Sequence, residues 1–198
     1  NQGENGVLKF VYKLYFILLY LPVRLIYAVR AIHPERMPHG PVLLCANHSA
    51  YSDPLLISFS LGIKVWPRFM AKKELKRVPV LGCLLKMAGV IFVDRGKSDV
   101  AAIKSAMRIL KDGGTVMIFP EGTRVKDDGS ADVKTGAVML AARTGAPIVP
   151  VYIPRKKRLL SRIPVVFGEP FSIPRDVGDY SVCADELMAR IDMLKGET

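Results

Sequence analysis

An α/β fold is predicted for this 198-residue chain: a single domain with a central mixed β-sheet flanked by helices, preceded by an N-terminal membrane-associating helical segment. Two observations carry that expectation. Half of the residues are hydrophobic, enough for a sizeable packed core at this length and too many for a disordered chain. From Pro41 onward, short apolar runs alternate with stretches of helical periodicity, as in domains that layer helices on a sheet. The expected division is residues 1–33 for an amphipathic helical membrane anchor and 34–198 for the α/β domain.

Residues 7–31 are rich in Leu, Val, Tyr and Phe, yet the longest charge-free stretch runs only from residue 14 to 23. A helix that crosses a bilayer needs about 20 apolar residues. Lys9, Lys13, Arg24 and Arg30 flank or interrupt the run, and Tyr and Phe side chains of the kind favoured at headgroup level crowd between Phe10 and Tyr20. The segment therefore reads as a monotopic anchor, kinked or divided at Pro22. No small-residue cleavage site follows Val23, which argues against a secretory signal.

Strands are expected at 42–46, 65–71, 90–93, 115–119, 148–153 and 164–168, and helices at 54–61, 98–111, 135–144 and 181–194. Pro54 suits a first helical turn. Ser98 reads as an N-cap, with Gly113 and Gly114 ending that helix and Ile103, Met107 and Leu110 on one face. Leu187, Ile191 and Leu194 share a face of the last helix. Pro150, inside an apolar run, marks an edge or irregular strand.

With 29 Lys and Arg against 18 Asp and Glu, the formal net charge is +11, beside a mean hydropathy of +0.23. An anionic phospholipid membrane accounts for both properties together. Nucleic acid is not expected, because no zinc finger, aromatic RNA-binding motif or helix-turn-helix signal accompanies the charge. Two basic clusters, Arg68 to Arg77 and Arg155 to Arg162, are expected to face lipid headgroups or an acidic carrier protein. Cys45, Cys83 and Cys183 form no paired motif, so neither a disulfide framework nor a thiolate zinc site is expected. The irregular spacing of His33, His39 and His48 gives no reason to expect a metal, and without a phosphate-binding P-loop no nucleotide hydrolysis is expected.

Four fragments carry chemistry. Asn47-His48-Ser49-Ala50-Tyr51-Ser52-Asp53 follows the strand 42–46 and precedes the Pro54 helix, so one imidazole and one carboxylate meet where open α/β sheets place their ligands. A carboxylate on one ring nitrogen fixes the tautomer and leaves the other free to take a proton; Asp53 before Pro54 is also a good helix N-cap. Phe119-Pro120-Glu121-Gly122-Thr123-Arg124 leaves its strand in a turn expected to expose a carboxylate, a hydroxyl and a guanidinium, the last suited to phosphate. The strand Gly89 to Gly96 ends in Asp94 and Arg95, a second phosphate candidate; the fourth fragment is Val149-Pro150-Val151.

In this order the four fragments resemble the motif blocks of the glycerolipid acyltransferases of the lysophosphatidic acid (1-acylglycerol-3-phosphate) acyltransferase type. The resemblance spans roughly residues 40–153, and its first and third blocks are highly specific. It implies transfer of a fatty acyl group from acyl-CoA or acyl carrier protein, as co-substrate rather than cofactor, to the sn-2 hydroxyl of lysophosphatidic acid, giving phosphatidic acid. His48 would be the general base in direct attack and Asp53 its partner. Arg95 and Arg124 would clamp the acceptor phosphate, Thr123 would add a hydroxyl, and Glu121 would orient Arg124 or bind an acceptor group. The sequence does not single out the groups that stabilise the oxyanion; backbone N–H groups at the Pro54 helix entry or the Gly122 turn are candidates. The expected location is the cytoplasmic face of the cell inner membrane. Alternatives are a different acceptor, such as glycerol-3-phosphate or another lysophospholipid, and a catalytically silent lipid-binding protein.

Overall fold

A computed structural model describes residues 2–94, 99–122 and 135–198. Seven strands form one sheet: β1 (Ala28–Ile32), β2 (Val42–Ala46), β3 (Pro67–Lys72), β4 (Ile91–Val93), β5 (Thr115–Ile118), β6 (Ile148–Tyr152) and β7 (Arg162–Phe167). Their spatial order is β1-β7-β6-β2-β5-β3-β4. Every neighbouring pair is parallel except β6 and β7, so the expected mixed α/β sheet is found. The helices are α1 (Gln2–Ile26), α2 (Asp53–Leu61), α3 (Leu81–Met87), α4 (Val100–Lys111), α5 (Gly136–Thr144) and α6 (Tyr180–Met193).

β2 shows why the sheet is covered on both sides. Its five residues Val-Leu-Leu-Cys-Ala are all buried, with no polar face for solvent. Leu43 and Cys45 pack with α4, α5 and α6, whereas Val42, Leu44 and Ala46 pack with Leu56 and Ile57 of α2. Each large side chain buried this way contributes about 1.5–3 kcal/mol from removal of apolar surface from water.

The N-terminal segment differs from the expectation. α1 runs unbroken through Pro22 and stops at Ile26, and Ala28–Ile32 then pairs in parallel with β7 as an edge strand. The sheet therefore begins before residue 33, inside the segment read as anchor. One face of α1 packs onto the domain: Phe16 meets Phe59 with ring centroids 4.6 Å apart, and Tyr12 stacks on Trp66 at 5.4 Å. Among the described residues, no helix is long and apolar enough to cross a membrane.

Pro150 lies in an interior strand, not at an edge. Its missing N–H falls between the bridge of Ile148 to Phe171 and the pairing of Val151 with Phe167, where the facing segment of the chain carries one extra residue. The α4 cap is Asp99, whose side chain accepts from Ala102 N–H, in place of Ser98, which lies outside the described residues.

Candidate active site

The parallel strands β2, β5 and β6 end at the same edge of the sheet, and the three segments that follow them build the site. Asn47 locks two of them together. Its side-chain amide donates to the Ile153 carbonyl (2.8 Å) and its oxygen accepts from Ile153 N–H (2.9 Å), continuing the β2–β6 ladder one step past both strands.

Asp53 opens α2 and is fully buried. Instead of capping the helix, it turns back onto its own loop: Oδ2 accepts from His48 Nδ1 (2.9 Å), Ser49 N–H (2.7 Å) and Ala50 N–H (2.8 Å). Ser52 occupies the N-cap position without a side-chain cap bond. Lys157, its side chain only 4% exposed, places Nζ 2.6 Å from Asp53 Oδ1 as an ion pair and donates to Ser49 Oγ at 2.9 Å. Burial pushes the Asp53 carboxyl up, but the His48 hydrogen bond, the Lys157 charge and the Ala50 N–H outweigh it and hold the group below its ordinary value.

The other edge of His48 is available for chemistry. With Nδ1 committed to Asp53, Nε2 has no hydrogen-bond partner among the described residues. The ring stacks on Phe119, centroids 4.1 Å apart, and lines a cavity of about 530 Å³ between α1, α2, β3 and α3. Phe16, Leu55, Phe69, Leu75 and Leu85 supply much of its wall, and besides His48 the charged lining residue among those described is Lys72.

Glu121 is placed differently from the expected exposed turn. It is 2% exposed; Oε2 accepts from His48 backbone N–H (2.9 Å), and Oε1 pairs with Arg155 at 2.7 Å. It therefore anchors the His48 loop through its main chain. Gly122, at a φ of 64°, turns the chain, and its N–H donates to Phe119 O, which removes it as an oxyanion donor. His48, Asp53 and Glu121 are thus brought together; Arg95, Thr123 and Arg124 lie outside the described residues. Asp94 pairs with Lys73.

In the sequence, Arg155 and Lys157 read as part of a basic surface cluster. In the structure the run after β6 alternates, with Arg155 and Lys157 turned inward to Glu121 and Asp53 while Lys156 and Arg158 are exposed. A period of two in a basic run directly after a buried strand is the signal that identifies them.

The fold and site together are those of an α/β protein with a histidine–carboxylate pair at the carboxyl edge of a largely parallel sheet, open to an apolar cavity. The chain belongs to the acyltransferase family, whose model matches residues 28–154. It is 36% identical over 127 residues to the 1-acyl-sn-glycerol-3-phosphate acyltransferase of Bacillus subtilis, covering 62% of this chain and 60% of that one. Identity to the probable 1-acyl-sn-glycerol-3-phosphate acyltransferase of Mycoplasma pneumoniae is 30% over 186 residues, or 83% and 68% of the two chains. The chloroplastic enzyme of Brassica napus is 36% identical over 121 residues, 59% of this chain and 34% of that protein, so the chain spans about a third of that relative. The fold is shared with the crystal structure of the 1-acyl-sn-glycerophosphate acyltransferase PlsC from Thermotoga maritima: TM-score 0.68, 24% identity, 96% of this chain and 77% of that one.

Proposed function

We propose that the protein transfers a fatty acyl group from a thioester, acyl-CoA or acyl carrier protein, to the sn-2 hydroxyl of 1-acylglycerol-3-phosphate. The observation that carries this reading is His48, held through Nδ1 by Asp53 and facing an apolar cavity, with Nε2 unpartnered among the described residues. Nε2 takes the hydroxyl proton as the oxygen attacks the thioester carbonyl, and Asp53 stabilises the resulting imidazolium. Collapse of the tetrahedral state breaks the C–S bond, and the imidazolium returns its proton to the leaving thiolate.

Ser49 is not the nucleophile in this scheme. Its Oγ donates to Arg155 O (3.0 Å) and accepts from Lys157, so both hydroxyl functions are committed. The cavity receives an acyl chain, and Lys72 at its wall, with Arg95 and Arg124, supplies cations for the acceptor phosphate.

The same reading places the protein on an anionic membrane, at the cytoplasmic face of the inner membrane. Phe10, Leu14, Ile17, Leu18, Leu21 and Leu25 are exposed on α1 at helical spacing, opposite the Tyr12 and Phe16 face that packs on the domain. An apolar stripe of this size on a basic protein fits a helix lying in the headgroup layer. The test is thiol release by purified protein given lysophosphatidic acid and each thioester, with His48→Ala as control. Release that depends on both acceptor and His48 supports the reading; no release from the intact protein sinks it.

A further inference from the structure

We propose that Lys157 is a positioning residue for this acyl transfer: its ammonium fixes the carboxylate of Asp53 in the orientation that aims His48 at the acceptor. The inference rests on the function proposed above, but its geometry stands independently. Asp53 uses one oxygen for the His48 ring and two loop N–H groups; its other oxygen faces Lys157 Nζ at 2.6 Å. Both oxygens of a carboxylate with no exposed surface are thereby engaged, and the cation that completes the set comes from a different segment, past the end of β6.

Three features separate this role from a surface ion pair and from substrate binding. The Lys157 side chain is nearly solvent-free, so its charge is poorly screened. It lies behind Asp53 and does not line the cavity, whereas His48 does. Its second contact, to Ser49 Oγ, ties it to the residue directly after His48, and that hydroxyl in turn reaches back to Arg155 O on the lysine's own segment. A carboxylate deprived of this partner would be left with an unpaired oxygen in a dry site, a condition that costs more than the contact itself contributes. Among the described residues, the titratable groups facing Asp53 are His48 from its own loop and Lys157; Glu121 and Arg155 form the adjoining pair, one step further from the ring.

The test is Lys157→Met, with Lys157→Gln as a second variant should the first fail to fold, each measured in the full chain for kcat and for KM toward lysophosphatidic acid and the thioester. The expected result is a kcat lowered about 10- to 100-fold, the effect of losing one buried charge contact to the carboxylate that holds His48, with both KM values within about twofold of the parent. In an Asp53→Asn background the same change should cost less than about threefold further, because the two residues act through one contact. A raised KM for lysophosphatidic acid at unchanged kcat would reassign Lys157 to phosphate binding, and full additivity with Asp53→Asn would remove the link; either overturns the proposal. A readout that needs no turnover is the downfield proton resonance of the His48 Nδ1–H bridge to Asp53. It should shift or vanish in the Lys157 variant, and an unchanged resonance overturns the inference even if the protein transfers no acyl group.

Discussion

Glu121 holds the main chain of His48: its Oε2 lies 2.9 Å from the His48 N–H while Oε1 pairs with Arg155. The carboxylate is thus a buried tie between the segments after β2, β5 and β6. Breaking a buried pair by removing one partner leaves the other uncompensated, at a cost of about 3–5 kcal/mol. Glu121→Ala should lower the urea midpoint accordingly, and Arg155→Ala should do so by a comparable amount. A midpoint within experimental error of the parent for both variants would contradict this placement.

Asp53→Asn replaces the carboxylate that orients His48 with a neutral amide. The imidazolium loses its counter-charge and the ring its fixed tautomer, so kcat should fall by about 10⁴-fold, as in comparable histidine–aspartate sites. The protein should still bind a fatty acyl ligand in its cavity, which a fluorescent fatty acid displacement assay would read.

The same carboxyl predicts an acid dependence of stability. Because its value in the folded chain lies below the ordinary one, Asp53 releases its proton more readily when folded than when unfolded. Its contribution is full above the ordinary carboxyl range, about pH 4, and is lost as the pH falls through the folded value. The stability gap between the parent and Asp53→Asn, measured by urea unfolding from pH 7 downward, should narrow below about pH 4. A gap that is constant over that range would refute it.

Cavity length should set donor preference. Ala88 lines the cavity and is almost fully buried, next to Gly89, where a Cβ would lie only 2.6 Å from the Trp66 ring. Ala88→Leu should reduce kcat/KM for the longest thioesters by about 10- to 100-fold while sparing short ones, since a few methylene groups decide the fit. Equal loss across a chain-length series would instead indicate a folding defect from overpacking.

The exposed stripe of α1 predicts membrane affinity. Leu18→Glu combined with Leu21→Glu removes two side chains whose burial in lipid is worth about 1.5–3 kcal/mol each. Co-sedimentation with anionic vesicles should fall by at least about tenfold, with activity retained on detergent-dispersed acceptor. Undiminished sedimentation would place the contact elsewhere.

Much of the sheet is legible in the sequence because its strands are buried on both faces and therefore read as continuous apolar runs; 42–46 matches β2 at both ends. The His48–Asp53 pair is legible because both residues sit on one short loop. β1 is hidden because Val29 and Ala31 continue the apolar character of α1 without a break, and α3 because its seven residues are too short for a periodicity. Arg155 and Lys157 are read as solvated because a run of like charges normally is, and their partners lie 34 and 104 positions away, at Glu121 and Asp53. Glu121 is misread for the complementary reason: proline and glycine beside it signal a turn, but they do not say which way the side chain points.

α1 passes into β1 through Tyr27 alone, whose N–H still bonds to the Val23 carbonyl. The helix axis is thereby tied to the rim of the sheet, so that in the function proposed above the standoff of His48 from the surface on which the helix rests follows from this join. Reach toward a lipid acceptor is then a property of rigid architecture, and a few glycines spliced in at Tyr27 would turn a fixed standoff into a loose tether.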